Sequence, residues 1–308
     1  MATRREGNGG LSSAGHRLGQ IIGDWWETRV VFPTLGSVAT ELELFLDNRL
    51  VQRTCRGGKL NWQDEDGNAV DYDFVLELDG SPAQKGLPVA FFESFWRSGA
   101  RHSKDKARDD TNKLLPMRQT YATARFLAIA ACGEFTEPAR DYVLSRSVEL
   151  LFVPKQNIVS AFSSAGLTVD YDDNLSEQRK KALVSQLERR FVGRLEDAVK
   201  DNLLDIIGGN TLSSFKSRVR GALTATPQEI KISALKLSEP QVFLTVDEAS
   251  AFLSEPRFTY SDTGEHYRYD VLYSDGSQFS RVLTSINQTR ALHDSLSRLV
   301  QHMRRVAP

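Results

Sequence analysis

Two acidic residues interrupt apolar segments of the chain at positions where they could bind a metal ion. Asp73 lies in the segment VDYDFVLEL and Glu93 in the segment VAFFESFW. Both segments are typical of β-strands, and a carboxylate inside such a strand is costly to bury unless something compensates its charge. Mg²⁺ is a suitable partner because it prefers oxygen ligands, so the sequence predicts a Mg²⁺ site at Asp73 and Glu93. The alternative is that both acids are exposed on a half-solvated antiparallel sheet.

The segments around the two acids predict a β-hairpin followed by a third strand. KLNW and VDYDFVLEL are separated by DEDGN, in which Asp66-Gly67 is a strong turn signal. A helix is predicted before the hairpin, over residues 36–53. After Glu93 come a basic loop, a helix from about Ser103, and then the segments RFLAIAAC, PARDYVLSR, VELLFVP and KQNIVSAFSSAG. The predicted order is therefore helix, three strands, helix, strand, helix, strand and helix.

In this order of elements and in its two acids, the segment of roughly residues 25–165 resembles the restriction-endonuclease-like nucleases, the PD-(D/E)xK superfamily. The resemblance implies an α/β core with a mixed central sheet flanked by helices. Asp73 would be the Asp of the family motif and Glu93 its second acid. The implied activity is Mg²⁺-dependent hydrolysis of phosphodiester bonds in double-stranded DNA, in bacterial restriction or defence. Cutting of both strands favours a homodimer, and we expect no small-molecule cofactor.

The chain departs from the family motif at the position of its lysine. The family places a Lys two residues after the second acid, where this chain has Phe95. In some members of the family another element, often the following helix, supplies this Lys. We therefore predict that Lys106 takes the role, with Lys104 as the second candidate. If neither reaches the metal site, the alternative is a catalytically inactive nucleic-acid-binding or interaction protein on a nuclease-like core.

Two further groups of residues are candidates for the site. In the superfamily a Glu from the helix before the hairpin often joins the metal site, and Glu41 is the candidate because it lies beside the predicted buried stripe of that helix. Four basic residues after the third strand could hold the scissile phosphate: Arg97, Arg101, His102 and Arg108. The alternatives are that Glu41 is solvated, and that the basic residues form a solvated helix start paired with neighbouring acids.

The composition sets limits without indicating one function. The chain has 308 residues, and its 39 basic and 40 acidic residues give a net charge of −1, so phosphate binding would depend on a local basic patch. Cys55 and Cys132 cannot form a Cys-ligated zinc site by themselves, and the lack of a disulfide framework fits a reducing cytoplasm. No apolar run approaches about 18 residues, so the sequence predicts no membrane span.

The chain is predicted to have four parts. Residues 1–20 are rich in Gly and Ser and are expected to form a flexible tail, and residues 21–168 form the endonuclease-like core. Residues 169–226 are predicted to be mostly helical. Residues 227–308 are predicted to form a small α+β module with strands at RFTYSD, HYRYDVLYSDG and QFSRVL and a C-terminal helix. The last two parts would grip DNA or mediate dimerisation.

Overall fold

The first elements in the described part of the chain form one long helical run. The structure is a computed structural model that describes residues 13–171, 175–234, 239–255 and 266–307. The run contains helix α1 (Ala14–Trp25), a π-helical turn (Trp26–Val31) and helix α2 (Phe32–Glu41).

Helix α1 begins inside the segment that was predicted to be a flexible tail. The Ser13 side chain caps the helix by accepting a hydrogen bond from the His16 N–H. Leu18, Ile22 and Trp25 follow at helical spacing and are buried. The tail prediction is therefore wrong from residue 14 onward, because the buried stripe outweighs the Gly- and Ser-rich composition. Its residues 1–12 lie outside the described part of the chain.

The helix predicted over residues 36–53 is shorter than expected. Helix α2 ends at Glu41, and Glu43 has a φ of 49°, which is outside the helical region. The chain then forms strand β1 (Phe45–Asn48), which pairs antiparallel with a strand of the central sheet. The prediction was wrong here because the alternation in ELELFLDN has the period of a strand as well as part of a helical stripe.

The central sheet has five strands in the order β1-β4-β5-β6-β7. Strand β4 is antiparallel to both of its neighbours, β1 and β5, whereas β5, β6 and β7 are parallel, so the sheet is mixed as predicted. The predicted hairpin is confirmed as a separate two-stranded sheet, and Gly67 in its turn has a φ of 82°. The strands are β2 (Leu60–Gln63), β3 (Ala69–Tyr72), β4 (Phe74–Leu78), β5 (Leu87–Arg97), β6 (Phe126–Gly133) and β7 (Glu149–Pro154).

Helices cover both faces of the central sheet. Alternate residues of β5 belong to different cores, since Phe92 packs with α1, α2 and the later helices whereas Phe91 packs with α3, α4 and the hairpin. The fold is thus α/β with a mixed central sheet flanked by helices. The helices after the first run are α3 (Ser103–Thr120), α4 (Glu137–Ser145), α5 (Lys155–Ser164), α6 (Glu177–Arg190), α7 (Arg194–Ile207) and α8 (Gly209–Thr224).

A buried ion-pair network fixes the edge strand β1 against β4. Arg53 Nη1 lies 2.6 Å from Asp47 Oδ2 and 2.5 Å from Glu77 Oε1, and all three side chains are almost fully buried. Arg56 also binds Asp47, at 2.6 Å from Oδ1. The Gly86 N–H donates to Glu77 Oε2 at 2.7 Å, so the network includes the connection between β4 and β5. The guanidinium groups compensate carboxylates that would otherwise be buried unpaired.

The C-terminal module contains a four-stranded antiparallel sheet with the order β11-β10-β8-β9. The predicted strand RFTYSD lies outside the described residues, whereas β8 and β9 were not predicted. Leu299 and Met303 of the last helix join the core on the α1 side of the central sheet. None of the helices in the described ranges is long and apolar enough to cross a membrane. The elements are β8 (Pro227–Ala234), β9 (Gln241–Phe243), α9 (Val246–Leu253), β10 (Tyr267–Tyr273), β11 (Gln278–Leu283) and α10 (Ile286–Val306).

Candidate active site

Asp73 lies between β3 and β4, directly before the first residue of β4, and Glu93 lies on the neighbouring antiparallel strand β5. The register pairs Phe74 with Phe92, so the residue before Phe74 and the residue after Phe92 fall opposite each other. The two residues are Asp73 and Glu93, and alternation along the strands places their side chains on the same face. The Ser94 N–H donates to Asp73 Oδ2 at 2.7 Å, which fixes this carboxylate to β5. The structure therefore brings together the two acids that the sequence predicts to form the site.

Burial gives both carboxyl groups a raised pKa. Glu93 is 3% exposed. Its burial and then the negative charge of Asp73 raise the pKa of Glu93 to about 8, against the opposing effect of Lys113. Burial also raises the pKa of Asp73 to about 6, although the hydrogen bond from Ser94 lowers it. Without a further cation, the pair therefore holds a proton near neutral pH that two solvated carboxylates would release.

Lys113 supplies an ammonium group to this pair. Its Nζ lies 2.6 Å from Glu93 Oε1 and 5.3 Å from the centre of the Tyr72 ring. The Tyr72 hydroxyl donates to the Lys113 carbonyl oxygen at 2.6 Å, which holds this turn of α3 against the hairpin. Within the described residues, Glu93 Oε1 is nevertheless a buried atom without a well-aligned hydrogen bond. The contact is therefore an ion pair that leaves this oxygen with capacity for another partner.

The structure does not place the predicted lysines in contact with Glu93. Lys106 Nζ pairs with Asp110 Oδ1 at 2.7 Å and lies 5.1 Å from the centre of the Phe95 ring. Its positive charge still lowers the pKa of Asp73, so Lys106 belongs to the surroundings of the site. Lys104 is exposed. The cation that contacts Glu93 is Lys113. It lies seven residues, or about two helical turns, after Lys106 and is therefore on the same face of α3.

Asp110 is a third buried acid beside the pair. It is 3% exposed, and its negative charge contributes to the raised pKa of Glu93. Lys106 neutralises one of its oxygens, but its Oδ2 has no hydrogen-bond partner in the described chain. The Ser94 hydroxyl oxygen is in the same condition. Buried polar atoms normally have partners, so these atoms indicate a place where a ligand or water would bind.

Glu27, rather than Glu41, is the acid from the first helical run that acts on Asp73. Its negative charge raises the pKa of Asp73, and it lies in the π-helical turn, an irregularity that is frequent at functional sites. Asn48 Nδ2 donates to Glu27 Oε1 at 2.9 Å and to the Asp73 carbonyl oxygen at 3.0 Å, which links the two acids. Glu41 is half-exposed and pairs with Arg220 at 3.1 Å. The helical periodicity that favoured Glu41 does not continue past this residue, because α2 ends at Glu41.

The four basic residues proposed for phosphate binding stay near the loop between β5 and α3. Arg97 Nη2 donates to the Arg101 carbonyl oxygen at 2.6 Å. His102 pairs with Asp105 at 3.0 Å, and both side chains are exposed, which matches the alternative of a solvated helix start. Arg101 and Arg108 are exposed as well. Arg97 is half-buried and the other three are exposed, and no hydrogen bond or ion pair in the described part of the chain joins any of the four to Asp73 or Glu93.

Two carboxylates are enough protein ligands for a Mg²⁺ ion that keeps several waters, but too few for a metal ion whose ligands all come from the protein. Among the described residues, no group of three or more His, Cys, Asp or Glu side chains could hold a metal ion. Mg²⁺ is commonly bound through one or two carboxylates and keeps several waters, so Asp73 and Glu93 suffice. Their raised pKa values and the free capacity of Glu93 Oε1 fit a site at which a cation would compensate the charge.

Comparisons of the chain with family models, with curated proteins and with solved structures give no match in any of the three. A functional interpretation of this site therefore rests on the residues and their geometry.

Proposed function

We propose that this chain is a Mg²⁺-dependent nuclease that hydrolyses phosphodiester bonds in DNA. One observation carries the proposal: the partly buried carboxylate of Asp73 and the almost fully buried carboxylate of Glu93 lie beside each other where β4 pairs with β5, and an ammonium group lies 2.6 Å from Glu93. Two acids and a cation from another element are the parts that the resemblance to the PD-(D/E)xK nucleases requires. The family motif has its lysine on the strand of the second acid, where this chain has Phe95. In this proposal Lys113 of α3 takes the role of that lysine.

The residues of the site have different proposed roles in hydrolysis. Asp73 and Glu93 would hold Mg²⁺, which supplies a bound water of lowered pKa and positive charge for the transition state. The Ser94 N–H keeps Asp73 oriented, and the Tyr72 hydroxyl keeps the Lys113 turn of α3 in place. Lys113 then stabilises the negative charge that develops on the phosphate oxygens when water attacks phosphorus and the bond to the leaving oxygen breaks.

The wider setting follows from the same resemblance. Double-stranded DNA is the proposed substrate, and bacterial restriction or defence in the cytoplasm is the proposed role. Cutting of two antiparallel strands is most simply achieved by a homodimer, in which one site acts on each strand.

A second candidate function is a nucleic-acid-binding or interaction protein without catalysis. The observation that favours it is the direct contact between Lys113 and Glu93, because the ammonium already compensates part of the charge without a metal. Such a protein would bind nucleic acid equally well with and without Mg²⁺ and would leave it intact.

Cleavage of plasmid DNA in the presence and absence of Mg²⁺ tests the proposal. The wild-type protein should cut, whereas Asp73→Asn and Glu93→Gln should abolish cutting. Lys113→Ala should lower the cleavage rate at least about a hundredfold, the scale for a lost transition-state donor. Lys104→Ala is the matched control on the same helix and should keep wild-type activity.

DNA binding is measured separately, by fluorescence anisotropy at fixed salt, so that lost affinity is distinguished from lost chemistry. Wild-type cutting by Glu93→Gln or by Lys113→Ala would contradict the assigned roles. Tight binding that is independent of Mg²⁺, without any cleavage, would support the second candidate.

A further inference from the structure

A second cavity, separate from the site of Asp73 and Glu93, lies where the core, the helical segment and the C-terminal module meet. The cavity has a volume of about 450 Å³. Because three of its lining residues are arginines, we call it the three-arginine pocket. Arg118 comes from the end of α3, Arg125 precedes β6, and Arg218 comes from α8, while the connection from β10 to β11 closes the other side.

Arg125 is a buried guanidinium with an unused donor. Its side chain is 6% exposed. Nη2 donates to Ser277 Oγ at 2.9 Å and lies 3.3 Å from Asp275 Oδ2, and the guanidinium carbon lies 3.1 Å from the centre of the Tyr273 ring. Nη1 is buried and has no hydrogen-bond partner in the described ranges. A buried N–H of a charged group requires an acceptor, so the pocket wall contains a donor that a ligand would satisfy.

Arg118 adds a second cation to the same pocket. Its Nη2 donates to the Ser147 carbonyl oxygen at 2.7 Å, and no carboxylate of the described chain pairs with it. Burial and the positive charge of Arg125 both lower the pKa of Arg118. Arg218 has a partner, since it lies 2.8 Å from Glu149. The described lining thus has three guanidinium groups and two carboxylates, so positive charge is in excess.

The rest of the wall is largely apolar. It is formed mainly by small and aromatic side chains: Ala122, Ala124, Phe126, Leu127, Ala222 and Phe279. Pockets of about 300–1,000 Å³ that combine an apolar wall with a few convergent polar groups are typical of small-molecule sites.

We infer that the three-arginine pocket binds a small organic phosphate. The phosphate would contact Arg118 and Arg125, and the organic part would pack against the apolar wall. A phosphate group is favoured over a carboxylate because a dianion balances two neighbouring guanidinium charges. Guanidinium groups also bind phosphate oxygens in pairs. This inference is independent of the proposed nuclease activity, since Asp73, Glu93 and Lys113 are not among the residues that line the pocket.

The probes are inorganic phosphate, adenosine monophosphate and uncharged adenosine, each added to the full chain in EDTA at fixed ionic strength. Thermal unfolding reports binding, because a ligand that binds only the folded protein raises its unfolding temperature. Inorganic phosphate should stabilise the wild type, adenosine monophosphate should do so at lower concentration, and adenosine should have no effect.

Two substitutions locate the binding, and calorimetric titration measures it. Arg118→Gln and Arg125→Gln should each weaken binding of adenosine monophosphate at least about tenfold, the scale for a lost charged hydrogen bond. Arg304→Gln, at an exposed arginine of α10, is the matched control and should bind like the wild type. Arg118→Gln should unfold close to the wild type without ligand, because removal of one like charge relieves repulsion and offsets the lost hydrogen bond to the Ser147 carbonyl oxygen. The unfolding measurement without ligand thereby distinguishes loss of the binding site from loss of the folded structure.

The inference is overturned if neither phosphate probe stabilises the wild type, or if Arg118→Gln binds adenosine monophosphate with wild-type affinity. It is also overturned if only a DNA duplex shows Arg118-dependent binding, since the pocket would then be part of a nucleic-acid surface.

Discussion

Replacement of Glu93 by Gln should remove a large pH dependence from the stability of the metal-free protein. The Glu93 pKa is raised from 4.5 to about 8, chiefly by burial, so between these values the folded protein keeps a proton that the unfolded chain releases. Stability falls with rising pH wherever the folded state binds more protons. The slope approaches about 1.4 kcal/mol per pH unit, which gives a loss of about 3 kcal/mol between pH 5 and pH 8.

Glutamine does not titrate in this range, so the free energy of unfolding of Glu93→Gln should rise relative to the wild type by this amount as the pH increases. Lys113 loses its partner in the variant. Because its side chain is 29% exposed, water can solvate the ammonium, and the cost is the same at each pH in this window. The prediction therefore concerns the change in the difference with pH, not its absolute value.

The measurement is urea unfolding in EDTA at intervals from pH 5 to pH 8, followed by tryptophan fluorescence. Glu65→Gln, in the exposed hairpin turn, is the matched control and should follow the wild type across the range. A difference between Glu93→Gln and the wild type that stays constant with pH would refute the view that burial holds a proton on this carboxyl. Addition of Mg²⁺ should stabilise the wild type at pH 8 more than it stabilises Glu93→Gln, because only the wild type has both carboxylates.

Two further predictions concern stability away from the acids. Arg53→Met should lower the free energy of unfolding by about 3–5 kcal/mol in urea unfolding, since it leaves the buried Glu77 carboxylate without a cation and Asp47 with Arg56 alone. Arg304→Met, at the surface, should change it little, and a comparable small loss for Arg53→Met would contradict the network. Gly133→Ala should cost about 2 kcal/mol or more in the same assay, because Gly133 has a φ of 102° and a Cβ there would lie 2.0 Å from the Arg97 carbonyl oxygen. Gly57→Ala is its control, since an added Cβ meets no described atom within 4 Å, and equal effects of the two glycine substitutions would contradict the steric argument.

The pairing of Asp73 with Glu93 could be predicted because it depends on local patterns. Each acid interrupts an apolar strand, the Asp66-Gly67 turn marks the hairpin, and a period of two places alternate residues on one face. The strand break at Asp73 could not be predicted, because VDYDFVLEL reads as one continuous strand. Its first half pairs with β2 and its second half with β5, so the division is set by tertiary partners.

The lysine that contacts Glu93 could not be chosen from the sequence for a related reason. Lys106, Asp110 and Lys113 have the spacing of one helix face, so the sequence contains a signal for all three. The choice among them depends on how α3 crosses the sheet, which only the packing of the Lys113 turn against Tyr72 decides. Glu27 was missed because Asp24, Thr28 and Arg29 lie beside it, so the segment DWWETRVVF does not show a single acid in an apolar run, the signal that identified Glu93.

The joint between the hairpin and the central sheet has a mechanical consequence. Two consecutive residues occupy it: the Tyr72 hydroxyl holds the helix turn that carries the ammonium, and Asp73 is one of the two acids. The opposite charges of the site are therefore anchored to adjacent peptide units, although they come from elements far apart along the chain. Because the Ser94 N–H holds Asp73 on β5 and Lys113 pairs with Glu93 of the same strand, this one dipeptide connects the hairpin, α3 and β5 at the site.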